Sequence, residues 1–141
     1  MRVFVIGLIC LITACSAPRT DGTPPPTLAL YPGETPQMRA LIVKYAAIHD
    51  IPESLLHRVI QRESDYRANA RNGPYWGLMQ ILPETARTMG HRGAPETLLD
   101  PEVNLLYAGR YLKGAWIIAD GNAAEAVQWY ARGYYLSLIH I

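Results

Sequence analysis

The 141-residue sequence has no excess of charge of either sign, because 13 lysine and arginine residues are balanced by 12 aspartate and glutamate residues. The basic residues are scattered along the chain, so nothing in the charge argues for nucleic acid as a partner. The sequence also lacks the apolar and polar alternation of half-buried strands, and it therefore predicts an all-α fold. Its length allows one domain of moderate size, but not two.

Long apolar runs are also missing, apart from one near the N-terminus. That run, residues 3–12, is too short to cross a bilayer and is typical of a signal peptide. It leads into the tetrapeptide ITAC at residues 12–15, which resembles the bacterial lipobox, a signal that is cut before a cysteine that is then diacylated. The resemblance implies a signal peptide over residues 1–14 and a lipid anchor on Cys15. Because Ser16 follows, sorting rules favour the periplasmic face of the outer membrane.

Cysteine is scarce, with two residues in the chain. Cys10 would leave with the signal peptide and Cys15 would carry the lipid, so we expect no disulfide in the mature protein. The alternatives are an ordinary cleaved secretory signal, which would leave a soluble periplasmic protein, or a cysteine at this position by chance.

Residues 15–37 form a predicted linker between the anchor and the domain. Six of the eleven prolines lie there, with glycine and threonine between them. Such a segment is semi-extended and has no core of its own, and it extends by about 3 Å per residue. This reach suits a protein that acts from a membrane on a nearby polymer layer, although a plain disordered tail has the same composition. The domain is predicted over residues 38–141.

The body of the chain predicts five helices. They are expected over residues 36–49, 52–63, 83–90 and 101–119, and from residue 123 onwards. Asp100 before a proline, and Asn122 three residues before a glutamate, are typical helix N-caps. The fourth helix carries small residues such as Ala108 and Gly109 on one side, which let a neighbouring helix come close.

Glu63 is the candidate catalytic residue. On a helix it falls on the same face as Leu56, Val59 and Ile60, which precede it by seven, four and three residues. A carboxylate at the inner end of a buried stripe is partly desolvated, which raises its pKa and suits a general acid near neutral pH. The competing interpretation is a surface glutamate in the last helical turn.

The sequence that follows Glu63 favours the catalytic interpretation. A Gly-Pro pair at residues 73–74 indicates a turn, and Tyr75 and Trp76 are large aromatic residues suited to stacking on sugar rings. GLMQ at residues 77–80 combines a flexible backbone position with an amide that donates and accepts hydrogen bonds. Together these features predict one wall of a saccharide-binding cleft.

The pair Glu63-Ser64, followed by GLMQ, resembles the catalytic domain of soluble lytic transglycosylases, a lysozyme-like family that cleaves bacterial peptidoglycan. The similarity covers residues 38–133. It implies peptidoglycan glycan strands as the partner, Glu63 as the catalytic residue and no cofactor. It also implies substrate binding by the following residues: Ser64, Tyr75, Gly77, Met79, Gln80 and Tyr130.

Two departures from the family pattern limit what the resemblance implies. The family usually carries Tyr-Asn-x-Gly where this chain has YARG at residues 130–133. The resemblance implies that the Tyr130 hydroxyl points towards Glu63, whereas Ala131 removes any contact made by the asparagine; a core tyrosine is the alternative. The loop before GLMQ also lacks the serine that many members place against the N-acetyl group, and Asn72 is a candidate for a similar contact.

The sequence favours a reaction that uses one acid, because Asp65, two positions beyond Glu63, points to the other side of a helix and no other acid is obviously placed. The resemblance implies that Glu63 would protonate the oxygen between N-acetylmuramic acid and N-acetylglucosamine, and would then take the proton of the C6 hydroxyl to give a 1,6-anhydromuramoyl end. Two alternatives stay open: a hydrolase like goose-type lysozymes, and a non-catalytic peptidoglycan-binding lipoprotein. An envelope-spanning assembly is a further candidate partner.

Metal-ligand spacing is absent from the sequence. The four histidines are dispersed and are expected to face solvent: His49, His57, His91 and His140. Residues 136–141 are an apolar, uncapped finish, which we interpret as a truncated end.

Overall fold

The computed structural model describes residues 29–134. Cys15, the first part of the predicted linker and residues 135–141 lie outside the described residues. Within the described range the chain forms five α-helices: α1 Pro36–His49, α2 Glu53–Glu63, α3 Pro83–Thr88, α4 Pro101–Ile118 and α5 Ala123–Arg132. The all-α prediction is confirmed. None of the helices in this range is long and apolar enough to span a membrane.

Side-chain caps determine where three of the helices begin. The Thr35 hydroxyl accepts a hydrogen bond from the N–H of Met38 at the start of α1. Asp100 accepts from the N–H of Val103 at the start of α4, and Asn122 accepts from two N–H groups in the first turn of α5. These bonds satisfy backbone donors that have no partner inside a helix. The two N-caps predicted from the sequence are therefore confirmed.

Helix α4 lies at the centre of the fold and packs against α1 and α5. Its inner side is lined by apolar residues that are fully buried: Leu105, Ala108, Leu112 and Ala115. Gly109 lies against the imidazole of His49, where any added Cβ would overlap the ring. The His49 Nε2 donates to the carbonyl oxygen of Leu105 over 2.9 Å. A small residue thus brings α1 close to α4, as the sequence predicts.

The prediction that the histidines face solvent is wrong for the three that the structure describes. His49, His57 and His91 are 8%, 3% and 4% exposed. Each ring has a polar partner that makes burial tolerable: the His57 Nδ1 lies 2.8 Å from the Tyr66 hydroxyl, and the His91 Nε2 lies 2.8 Å from Thr97 Oγ1. Spacing along the sequence carries no information on such contacts. His140 lies outside the described residues.

The end of the predicted linker packs against the helices. Glu34 is buried and binds Arg39 of α1, while the Tyr31 ring lies 4.8 Å from the His57 ring of α2, centroid to centroid. The packed unit therefore begins before the predicted boundary at residue 38. A glutamate and an arginine five residues apart do not indicate a buried pair in the sequence, because residues 29–35 have no regular structure.

A short hairpin and a 3-10 helix between α2 and α4 were not predicted. Arg71–Asn72 (β1) and Tyr75–Trp76 (β2) form an antiparallel hairpin in which Arg71 pairs with Trp76. Strands of two residues are too short to show alternation. Residues Pro95–Leu99 form a 3-10 helix where the sequence predicted a loop.

Candidate active site

Glu63 is the last residue of α2. The apolar residues Leu56, Val59 and Ile60 on the same helix are fully buried, which places the glutamate at the edge of the core, as predicted. Its side chain is 24% exposed. Burial raises the pKa of Glu63 above its ordinary value of 4.5, and the Arg62 guanidinium, 3.7 Å away, partly opposes that rise. The carboxyl group is neither in bulk solvent nor sealed in the core.

Ser64 connects the end of α2 to the following turn. It is 2% exposed, and its hydroxyl donates to the carbonyl oxygen of Leu78 over 2.6 Å. The predicted substrate contact by Ser64 is therefore revised, because the hydroxyl faces the interior and is already bonded. Its role in this structure is to hold the turn against the catalytic candidate.

Residues 77–80 form a turn closed by two hydrogen bonds. The backbones of Trp76 and Ile81 exchange N–H to carbonyl bonds of 3.0 and 3.1 Å. Gly77 has a positive φ of 75° and is buried, and an added Cβ would overlap the Leu98 carbonyl oxygen and the Asn104 amide. The close approach that this glycine permits is thus to the protein interior and not, as predicted, to a glycan.

Met79 is also an interior residue. Its side chain is fully buried, its N–H donates to Asn104 Oδ1 over 2.9 Å, and its carbonyl oxygen accepts the Tyr130 hydroxyl over 2.8 Å. The predicted contact between Met79 and substrate is accordingly revised, because the side chain, the N–H and the carbonyl oxygen all face the interior. Asn104 was missed in the sequence, although it lies four residues before Ala108, and hence on the inner side of α4.

Tyr130 of α5 is 7% exposed and joins the turn to the core. Burial raises its pKa well above 10.0, and the charge of Glu63 raises it further. The hydroxyl donates to the Met79 carbonyl oxygen over 2.8 Å, and the residue lies within reach of the charge of Glu63. Its ring also packs edge-on against Tyr111, with centroids 5.4 Å apart.

Gln80 follows Met79 with a positive φ of 50°. Its amide nitrogen donates to the carbonyl oxygens of Ala70 and Gly77, over 3.1 and 2.8 Å. Within residues 29–134 its amide oxygen accepts no hydrogen bond and is not fully buried. The amide nitrogen therefore fixes the Gln80 side chain, while the amide oxygen remains able to accept a hydrogen bond.

A cavity of about 470 Å³ opens beside this turn. The structure brings three predicted residues together in its wall, Tyr75, Gln80 and Tyr130. Glu63, Ser64, Gly77 and Met79 do not line it. The other lining residues mix apolar, hydroxyl and charged groups: Ile81, Leu82, Glu84, Thr85, Thr88, Tyr111, Ala131, Arg132 and Gly133. Such a wall offers both hydrogen bonds and apolar faces, as a sugar ring requires.

The two aromatic residues of β2 differ in their exposure. Tyr75 is 43% exposed and available for stacking, whereas Trp76 is 7% exposed. The guanidinium of Arg71 lies over the Trp76 ring, 3.8 Å from its centroid. The expectation that Trp76 stacks on sugar is thus wrong, because alternate residues of a strand point to opposite sides.

Among residues 29–134 there is no group of three or more histidine, cysteine, aspartate and glutamate side chains placed to hold a metal ion. The family model described as the transglycosylase SLT domain matches residues 40–135. This range contains Glu63, Tyr130 and every predicted substrate-binding residue between them. No solved structure matches the chain significantly.

Proposed function

The chain belongs to the transglycosylase SLT domain family, and from that premise we propose the reaction that it catalyses. Membership supports a lytic transglycosylase-type activity on peptidoglycan. More specifically, the protein cleaves the β-1,4 bond between N-acetylmuramic acid and N-acetylglucosamine and leaves a 1,6-anhydromuramoyl end. The observation that carries this proposal is the half-buried Glu63, which is joined through Ser64 to the turn that presents Gln80.

Glu63 acts first as a general acid. At 24% exposure its carboxyl group is accessible to a glycan, and burial makes it keep its proton to a higher pH than an exposed glutamate does. The proton passes to the glycosidic oxygen, the bond from C1 to that oxygen breaks, and N-acetylglucosamine leaves with a free 4-hydroxyl group. The acetamido oxygen of N-acetylmuramic acid bonds to C1, and the resulting oxazolinium ion carries the positive charge.

Glu63 then acts as a general base. Its carboxylate takes the proton of the C6 hydroxyl group of the same sugar, while O6 bonds to C1 and the acetamido oxygen is released. The acid form of Glu63 is regenerated and no water is consumed. One carboxyl group serves both steps, because it is deprotonated in the first and reprotonated in the second.

Three residues of the cavity wall hold the glycan in this proposal. The exposed ring of Tyr75 stacks on a sugar face. The free amide oxygen of Gln80 accepts a hydrogen bond from a sugar hydroxyl or amide group, and its fixed nitrogen end reduces the ordering cost. Tyr130 contributes its ring, since its hydroxyl is bonded to Met79.

Glu84 favours one alternative, a hydrolase. It is an exposed carboxylate on the wall of the same cavity, and in a two-carboxylate hydrolase such a group activates water. The test is digestion of purified sacculi, followed by mass spectrometry of the muropeptides. Anhydro ends differ from reducing ends by the mass of one water. Anhydro products support the proposal, while reducing ends from wild-type protein overturn the transglycosylase in favour of the hydrolase.

We also propose that Cys15 anchors the protein to the periplasmic face of the outer membrane. The support is the ITAC sequence at residues 12–15 and the proline-rich stretch that follows. Membrane fractionation of wild type and Cys15→Ala tests it, with the variant expected in the soluble periplasmic fraction. A wild-type protein found in that same fraction would show that the signal is an ordinary secretory one.

A further inference from the structure

Asn104 is a polar residue that is fully buried near the start of α4. Its side chain makes three hydrogen bonds, all to backbone groups outside α4. Its Nδ2 donates to the carbonyl oxygens of Trp76 and Leu98 over 3.0 and 2.8 Å, and its Oδ1 accepts from the N–H of Met79 over 2.9 Å. The side chain therefore joins two other segments of backbone to α4: the turn of residues 76–80 and the 3-10 helix Pro95–Leu99.

The chemistry of the partners determines which way the amide of Asn104 lies. Two carbonyl oxygens require two N–H donors, and the Met79 N–H requires an acceptor. Reversing the amide would place oxygen against oxygen and N–H against N–H. An aspartate of the same shape has no hydrogen to donate to Trp76 and Leu98, and a leucine offers neither donor nor acceptor. The position thus depends on a carboxamide.

The contact is also sterically closed. Gly77 lies directly against the Asn104 amide, so that any side chain at residue 77 would overlap it. Met79 is held on both sides, by Asn104 at its N–H and by Tyr130 at its carbonyl oxygen. Ser64 holds the preceding carbonyl group, that of Leu78. Asn104 of α4, Tyr130 of α5 and Ser64 just after α2 therefore fix two consecutive residues of the turn.

We propose that Asn104 is a positioning residue for peptidoglycan cleavage, because it sets where the turn of residues 76–80 stands relative to the end of α2. This inference rests on the proposed function. Asn104 does not touch the cavity; it acts through Met79, whose backbone directs the next residue, Gln80. Displacement of a substrate-holding group by about 1 Å can reduce a rate by about 100-fold.

The experiment compares Asn104→Leu with Leu112→Ala. Leu112 is fully buried on the same helix and is purely apolar, so its truncation lowers stability without removing a bond to the turn. Both proteins are assayed as full-length chains on soluble glycan strands, at a temperature where circular dichroism shows each to be folded. We expect kcat to fall about 10- to 100-fold in Asn104→Leu, with a smaller change in KM. Leu112→Ala should stay within about twofold of wild type.

Two further readouts separate positioning from stability. The Met79 amide should exchange its hydrogen at least about tenfold faster in Asn104→Leu, but not selectively faster in Leu112→Ala. The alkaline limb of the pH profile should move to lower pH in Asn104→Leu alone, because a displaced turn admits water to Glu63. If Asn104→Leu does not fold, Asn104→Asp, which keeps the shape and the acceptor for Met79, is measured in the same way.

If wild-type protein is active and the folded Asn104 variant has the same kcat and the same pH profile as wild type, this inference alone is overturned. Wild-type protein that releases no muropeptides overturns the proposed function and the inference with it.

Discussion

The Tyr130 hydroxyl donates a 2.8 Å hydrogen bond to the carbonyl oxygen of Met79. This bond joins α5 to the turn of residues 77–80. The phenol is thus engaged by the turn, whereas Glu63 affects Tyr130 through its charge. The tyrosine that the sequence resemblance associates with the acid is, in this structure, a support for the backbone that leads to Gln80.

Tyr130→Phe removes that bond and leaves a buried carbonyl oxygen without its donor. We expect the free energy of unfolding to fall by about 1–3 kcal/mol, since an unsatisfied buried acceptor keeps its desolvation cost. Urea unfolding measures the change. Tyr75→Phe is the matched control, because Tyr75 is 43% exposed and should lose almost no stability. Equal losses in the two variants would contradict the role given to the Tyr130 hydroxyl.

Glu63→Gln tests the single-acid scheme. The amide keeps the shape of the side chain but cannot give or take the proton, so release of muropeptides should fall by at least about 1000-fold while binding to sacculi is retained. Glu84→Gln is the matched variant, because it alters a carboxylate on the cavity wall. It should still yield anhydro products. Cleavage that survives in Glu63→Gln would remove this residue from the mechanism.

The raised pKa of Glu63 predicts how stability depends on pH. Burial disfavours the charged form, so the folded-state pKa lies above the ordinary value of 4.5. The favourable contribution of Glu63 to the free energy of unfolding is therefore fully present below pH 4.5, and it is lost as pH rises through the folded-state pKa. Glu63→Gln should be more stable than wild type at pH 7, with the gain shrinking near pH 4. Thermal unfolding at both values measures it, and a gain that does not shrink would show that charge is not its cause.

Local signals explain which parts of the fold could be predicted. Asp100 and Asn122 cap helices by accepting hydrogen bonds from backbone N–H groups two or three residues later, so a short stretch of sequence is enough to predict them. Glu63 follows the buried side of its own helix by simple periodicity. The helical prediction and the placement of the acid at the edge of the core both rest on such short-range patterns.

Long-range contacts explain what could not be predicted. The Ser64 hydroxyl bonds to Leu78, fourteen residues away, and the Met79 N–H bonds to Asn104, twenty-five residues away. An asparagine in a helix usually faces water, so its type obscured the inner position that its spacing indicates. Gly77 was predicted to contact substrate, because a glycine indicates a close approach to its backbone but does not indicate which group approaches.

Gly77→Ala should be strongly destabilising. Its φ of 75° is strained for alanine, and the new Cβ would overlap both Leu98 and Asn104. We expect a loss of about 3 kcal/mol, from backbone strain and overpacking together. Gly73→Ala is the control: its φ is also positive, at 56°, but nothing lies within 4 Å of the added Cβ. It should lose about 1 kcal/mol, the cost of the backbone alone. Equal losses in urea unfolding would contradict the close packing at residue 77.

Glu34 predicts a pH dependence of the opposite sign. Its side chain is fully buried, and both Nε and Nη2 of Arg39 approach it to 2.6 Å. Burial alone would raise the pKa of Glu34, but the bonds from Arg39 and the Tyr31 N–H outweigh it and lower the pKa below 4.5. Its stabilisation is therefore present above pH 4.5 and is lost as pH falls through the folded-state pKa.

Glu34→Gln should accordingly lower the free energy of unfolding at pH 7 by about 2 kcal/mol, because Arg39 then keeps only the more distant Glu53 carboxylate, 3.9 Å away. The loss should shrink at acid pH, where wild type is itself protonated. Glu102→Gln is the control, since Glu102 binds Lys44 over the same 2.6 Å, but both side chains are about half exposed. Water already stabilises those charges, so that substitution should change stability very little. If the two substitutions cost the same, distance and not burial would determine the strength of these pairs, and residues 29–35 would not be held by Glu34.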